Sequence, residues 1–158
     1  MTALEPLVAA ERFLHEQIPL TLTMGLRVIA QEAGRFALEA PVTPNRNHLH
    51  TAFGGSINAL AILAGYGLLW LELRDTAAHV VVAQSSMRFL HPVRETIRAL
   101  CEPPAPWEIA ELKATLRAKG KARITLRVRV EENGMLAAAL EGVFVAIADR
   151  SGAGIRHP

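Results

Sequence analysis

The sequence predicts an α+β domain in which one curved antiparallel sheet wraps around a single long central helix. Three observations carry this reading. The run from Ile57 to Leu71 is a helix pattern without one charged residue, so it must be covered on most of its sides. Strand-like segments flank it and are joined by hairpin-sized connections, which imply antiparallel pairing. The order is helix, two strands, long helix, then four strands with a short helix inserted. With no repeat, low-complexity stretch or linker, residues 1–158 read as one domain.

Taken in order, Leu4, Leu7, Val8, Phe13, Leu14 and Ile18 mark an amphipathic helix that Pro19 ends. Thr21 to Ala30 reads as a first strand, Gln31 to Gly34 as a turn, and Arg35 to Ala40 as a second strand closed by Pro41 and Pro44. A polar loop leads into the uncharged helix, which should stop near Leu73 before Arg74-Asp75-Thr76. His79 to Pro92 is a long strand and Thr96 to Glu102 the next, broken by Pro103, Pro104 and Pro106. Trp107 to Lys119 fits a short helix with Trp107, Ala110, Leu112 and Leu116 on its less polar side. From Arg123, the residues Ile124, Leu126, Val128 and Val130 alternate with polar ones, the signature of a half-buried strand with a basic outer face. Asn133-Gly134 is a strong hairpin turn, returning the chain as a last strand from Met135 to Ala148, with a frayed tail from Asp149. Leu60, Leu63, Val81 and Met87 are expected in the core.

Hydrophobic residues make up 51% of the chain and charged ones 20%, a composition that favours a folded core over disorder. A net charge of +2 is too small to argue for nucleic acid, although one anionic ligand could still find a local excess of Arg and Lys. Cys101 is the single cysteine, which excludes an intrachain disulfide, suits a reducing cytosol and reads as a packing residue. Glu5, Glu11 and Arg12 interrupt the N-terminus, so no signal peptide is expected there. The uncharged run falls short of the roughly 20 residues that a membrane span needs, so no membrane association is expected. His48 and His50 stand two apart on a loop without nearby Cys or carboxylate, so no metal site is expected.

The loop Asn45-Arg46-Asn47-His48-Leu49-His50-Thr51-Ala52-Phe53-Gly54-Gly55-Ser56 is the most informative stretch. A helix opening on a double glycine offers backbone N–H groups without partners and the positive end of a dipole. A polarised carbonyl, carboxylate or phosphate would be stabilised there, which makes the segment a candidate oxyanion hole. The same glycines would equally serve close packing of helix against strand.

Pro44-Asn45-Arg46-Asn47 and Thr51-Ala52-Phe53-Gly54-Gly55-Ser56 resemble the hotdog-fold thioesterases and dehydratases, and in particular the YiiD C-terminal-type thioesterase domain. Leu63-Ala64-Gly65-Tyr66-Gly67-Leu68-Leu69, Arg88-Phe89-Leu90-His91-Pro92-Val93 and Gly142-Val143-Phe144-Val145-Ala146 extend the resemblance over about a hundred residues. It implies a homodimer, or a dimer of dimers, with the ligand at the interface. It also implies a thioester of coenzyme A or of acyl carrier protein, coenzyme A entering as part of the substrate and no other cofactor being needed. Two departures stand out. Related domains carry an Asp or Glu two turns after the Gly-Gly, where this chain has Leu60-Ala61-Ile62-Leu63; and His50 stands where a small residue such as Gly is expected.

Thioester hydrolysis needs an oxyanion donor, a positioned water or nucleophile, and room for the acyl chain. Gly55 N–H, with Ser56 or Gly54 beside it, is the best donor candidate, and Phe53 adjoins it. Asn45 and Asn47 could orient water or hold the carbonyl; an amide positions but cannot deprotonate, and Asx-turns would explain both residues as well. His50 and His48 have the pKa range of a base. Ser56 fits a free donor at the helix start, and Asn58, alone in an apolar helix, should bond either substrate or loop. Gln84, Ser86 and Arg88 share one strand face, and Ser86 could be directed at the ligand. Arg88, His91 and Arg94, or Lys119, Lys121 and Arg123, could contact coenzyme A phosphates. The expected activity is a cytoplasmic acyl-CoA thioesterase. The alternatives are a non-catalytic acyl-thioester binding module and, behind it, a hydratase or dehydratase, which would want a His with an acidic partner.

Overall fold

A computed structural model describes residues 5–32 and 34–149; the expected frayed tail lies outside these beyond Asp149. Six antiparallel strands form one sheet: β1 (Arg27–Glu32), β2 (Arg35–Pro41), β3 (Ala78–Phe89), β4 (Thr96–Cys101), β5 (Lys121–Glu132) and β6 (Met135–Ala148). Their spatial order is β1-β2-β4-β5-β6-β3, so β3 is an edge strand hydrogen-bonded only to β6. The central helix, α3 (Gly54–Leu73), lies against the concave face and touches β2, β3, β4, β5 and β6. Two flanking helices, α1 (Glu5–Gln17) and α4 (Pro106–Lys119), complete the cover.

The alternation read from β5 is observed: Ala122, Ile124, Leu126, Val128 and Val130 are buried and the residues between them exposed, until the pattern fades at Glu131. The turn that follows is tight because Asn133 (φ 50°) and Gly134 (φ 76°) both take left-handed backbone, as a two-residue hairpin requires. From β6, Phe144 lies on Gly65 of α3, and from β2, Phe36 lies on Gly67. A Cβ on Gly67 would overlap the Phe36 ring, and one on Gly65 would stand 2.6 Å from Phe144 Cζ. Two fully buried rings thus occupy the space that side chains at 65 and 67 would need, which lets helix and sheet approach closely. On the other side of α3, Phe13 of α1 stacks on Trp70 at 4.8 Å and on Tyr66 at 6.2 Å. Glu11 then accepts Val28 N–H at 2.8 Å, tying α1 to β1.

Four expectations are corrected. Thr21 to Ala30 is not one strand: Leu20–Met24 forms a short helix, α2, and β1 starts only at Arg27. Apolar and β-branched residues made the stretch look extended, but tertiary bonds outweigh that preference. Buried Thr21 Oγ1 is 2.8 Å from Ile18 O and 3.1 Å from Leu14 O, and Gly25 closes the helix at φ 69°. Second, α3 spans 20 residues, so length alone does not exclude a membrane span; the sheet folded around it accounts for its apolarity. Third, α4 buries Leu112 and Leu116 with Ile109 half-buried, while Trp107 and Ala110 face outward. Fourth, Val81 is 47% exposed because it points from β3 to the convex side; Leu60 and Leu63 are buried and Met87 packs against the core as expected.

Candidate active site

The loop between β2 and α3 begins with one 3₁₀ turn, Thr43–Asn45, and is stitched together by its own backbone. Phe53 N–H donates to Asn45 O at 2.7 Å, Asn47 N–H to Thr51 O at 2.8 Å, and Ala52 N–H to Val93 O at 2.8 Å. Glu132 fixes the neighbouring segment by accepting Arg94 N–H and Glu95 N–H at 2.9 and 2.7 Å. The loop that delivers the glycines is therefore held from the sheet end as well as from within.

Asn45 is buried to 4% exposure, and both hydrogens of its Nδ2 are used: one goes to Met24 O and one to Pro41 O, each at 2.8 Å. Only its carboxamide oxygen remains, and that atom can accept but not donate. Asn45 could therefore hold a water but not a thioester carbonyl. Asn47 is committed to the loop: its Oδ1 accepts Leu49 N–H at 2.9 Å and Thr51 N–H at 3.2 Å, and its Nδ2 pairs with Thr51 Oγ1 at 3.0 Å. This is the Asx-turn arrangement, and it makes Asn47 a scaffold residue. His50 has φ 59°, which explains why a small residue such as Gly suits that position; its side chain and that of His48 are exposed.

The helix then opens without a side-chain cap, on Phe53 in extended backbone at ψ 132°. The N–H groups of Gly54, Gly55 and Ser56 are the first three of the helix, which no intrahelical carbonyl can satisfy. Ser56 caps nothing, and its hydroxyl makes no hydrogen bond among the described residues. Asn58, expected to bond either substrate or loop, is half-buried and makes no hydrogen bond to the loop among the described residues. Two phenyl rings flank the glycines. A Cβ on Gly55 would overlap Phe53, and one on Gly54 would stand 3.4 Å from Phe89 at the end of β3.

Beside this helix start lies a cleft of about 320 Å³. Asn45, Phe53, Gly55 and Ser56 form one side of it, joined by Ala59 one turn further along α3. Leu20, Thr23 and Met24 of α2, with Pro44, form the other side. These α2 residues went unrecognised because the segment reads as a strand in sequence; the Pro19…Gly25 bracket is the signal that could have found the helix. Phe89 was missed as well, though it stands inside the Arg88-Phe89-Leu90-His91-Pro92-Val93 motif.

The structure does not gather every expected residue here. Ser86 and Arg88 point from β3 to the convex face, where they border a groove with Arg127, Arg129 and Glu141. His91 is exposed just past β3, its backbone N–H bonded to Ala137 O at 3.0 Å. Among the described residues no histidine, carboxylate or cation lines the cleft, and α3 carries no carboxylate before Glu72. Cys101 is buried among apolar groups, which pushes its thiol up to about 12, helped by the charge of Glu102. It is a packing residue. Among the described residues no cluster of His, Cys, Asp and Glu could hold a metal.

Comparison with known proteins agrees with this architecture. A structure from Chlorobaculum tepidum, of a protein of unknown function, superposes with a TM-score of 0.85 at 28% identity, over 90% of this chain and 94% of that one. A thioesterase from Shewanella oneidensis, named as putative, superposes at 0.82 with 28% identity, over 90% and 98% of the two chains. A Haemophilus influenzae thioesterase shares the fold at 0.68 with 19% identity, over 90% of each chain. The family described as "Putative thioesterase (yiiD_Cterm)" matches residues 8–148, so this hotdog-fold chain belongs to the YiiD C-terminal thioesterase family.

Proposed function

We propose that the protein hydrolyses an acyl thioester of coenzyme A or of acyl carrier protein at the start of α3. One observation carries the reading: Gly55 and Ser56, whose N–H groups at the start of α3 have no partner among the described residues, border an uncharged cleft that is also lined by Asn45, whose Nδ2 hydrogens are already used. The thioester carbonyl accepts from Gly55 N–H and Ser56 N–H. As water adds to that carbon, negative charge grows on the carbonyl oxygen, where the helix dipole and the two donors stabilise it. Asn45 Oδ1 accepts a hydrogen of the attacking water and orients it. The tetrahedral intermediate collapses by breaking the C–S bond and releasing the thiolate, which takes up a proton. Because no titratable side chain of the described residues lines the cleft, this chemistry rests on orientation and oxyanion stabilisation, the proton lost by the attacking water passing to the departing thiolate sulfur, directly or through solvent.

The contact of Phe89 with Gly54 brings the end of β3 to the rim of the cleft, followed by exposed His91, while Arg88 points to the convex face. His91 is the candidate for a contact with the phosphates of coenzyme A. The outer edge of β3, with exposed Val81, Val82 and Phe89, supports pairing with β3 of a second copy. A cytosolic setting suits the reduced, buried Cys101.

Thiol release from purified protein, followed across short, long and aryl acyl-CoA substrates, tests the reading. Ser56→Pro removes one donor while remaining in the first helical turn, whereas Ser56→Ala keeps that donor. A loss of about 10²-fold in kcat for proline, and under tenfold for alanine, is expected for an oxyanion donor. Equal activities in the two variants would move the oxyanion elsewhere. The missing carboxylate favours one second reading, a binding module that holds acyl thioesters without cleaving them. Binding measured by calorimetry without thiol release would select it.

A further inference from the structure

The short helix α2 turns the site from an open helix end into a cleft with a chemically defined wall. Its contribution is uniformly neutral: Leu20 and Met24 are apolar, and Thr23 carries only a hydroxyl. Facing them, Phe53 and Ala59 are apolar too. A carboxylate or ammonium on the acyl group would meet no counter-charge there and would lose part of its hydration on entering, which disfavours an unpaired ion.

The wall is also anchored at several points. Thr21 bonds α2 to the end of α1, Leu26 N–H returns to Thr21 O at 3.0 Å, and Asn45 clamps Met24 O. Leu20 and Thr23 nevertheless have exposed side chains, so they are held in place by a fixed backbone without being part of the core. Side chains of this kind set the width of a cleft and can change without changing the fold.

Resting on the thioesterase reading, we infer that α2 is the acyl-selectivity element: the cleft takes a neutral aliphatic or aryl acyl group, and Leu20 and Thr23 set how much of it fits. This is a specificity role, distinct from that of the groups at the α3 N-terminus.

The test measures kcat/KM for acetyl-, hexanoyl-, dodecanoyl-, benzoyl- and succinyl-CoA with wild type, Thr23→Leu and Leu20→Ala, and calorimetric binding of the same compounds. The expected results are at least tenfold weaker use of succinyl-CoA than hexanoyl-CoA, a fall of tenfold or more in the dodecanoyl-to-acetyl ratio for Thr23→Leu, and a rise in that ratio for Leu20→Ala. An unchanged profile in both variants, or succinyl-CoA preferred, overturns the inference while leaving the thioesterase reading in place. Absent turnover with the same profile appearing in binding constants overturns hydrolysis and keeps the role of α2. Neither turnover nor binding overturns both.

Discussion

Replacing Asn45 by alanine removes two hydrogen bonds at once and should destabilise the fold measurably. The side chain is 4% exposed, and its Nδ2 donates to Met24 O and Pro41 O at 2.8 Å each. Losing it leaves two carbonyls seeking partners. A buried unsatisfied group costs about 1–3 kcal/mol, and Pro41 O, only partly buried, sits at the lower end of that range because water can reach it. The expected loss is therefore about 2–4 kcal/mol, or roughly 4–16 °C in Tm for a chain of this size. Asn45→Asp keeps the shape but, ionised at neutral pH, presents only acceptors to those carbonyls, so it should be no more stable than alanine. Urea unfolding followed by far-UV circular dichroism gives the comparison, with an unchanged slope confirming that only stability moved. A loss below about 0.5 kcal/mol for Asn45→Ala would refute the clamp between α2, β2 and the loop. The same number governs kinetics, since any activity lost in this variant must be measured at a temperature where it is still folded.

Three other outcomes follow from the same geometry. Gly67→Ala should cost about 1–3 kcal/mol by urea titration because buried Phe36 cannot yield, whereas Gly55→Ala should leave stability within about 1 kcal/mol, exposed Phe53 being free to swing aside. Equal costs at the two positions would show that the ring contacts are not what requires glycine. Thr21→Val should lose about 1–2 kcal/mol and raise amide exchange in α2; unchanged exchange would mean that Thr21 does not anchor the wall. The thiol of Cys101, raised from an ordinary 9.0 to about 12, should resist disulfide reagents in the native state and react fully in denaturant. Between pH 9 and 12 the unfolded chain releases this proton and the native chain keeps it, so the Cys101 contribution to stability falls as pH rises; Cys101→Ala should flatten that part of the stability profile, and an unchanged slope would contradict the shift.

Much of the fold was legible because its burial is periodic. The alternation from Arg123 to Val130, the uncharged run inside α3 and the Asn133-Gly134 turn each report a local environment that sequence spacing encodes directly. Segment 20–26 was misread because its apolar and β-branched residues look extended, while its helix is fixed by hydrogen bonds from Thr21 and Asn45 to backbone carbonyls and is marked in the sequence by little more than the Pro19…Gly25 bracket. The site divides along the same line. Gly54, Gly55 and Ser56 at a helix start were readable from the sequence, as was Phe53 beside them. What their neighbours do was not: Asn45 and Asn47 look alike in the chain, yet one clamps α2 and the other folds the loop onto Thr51. The facing of Ser86 and Arg88 away from the cleft follows from the strand parity that puts Met87 and Phe89 on the concave side, and one sequence cannot say which parity faces the helix.

The uncapped start of α3 is proposed to support turnover of an acyl thioester. Steady-state thiol release from hexanoyl-CoA by the wild-type protein tests it most directly. Multiple turnovers per chain are expected, with Ser56→Pro reducing kcat about 10²-fold in a protein that remains folded. Hexanoyl-CoA that binds but is recovered intact would contradict it.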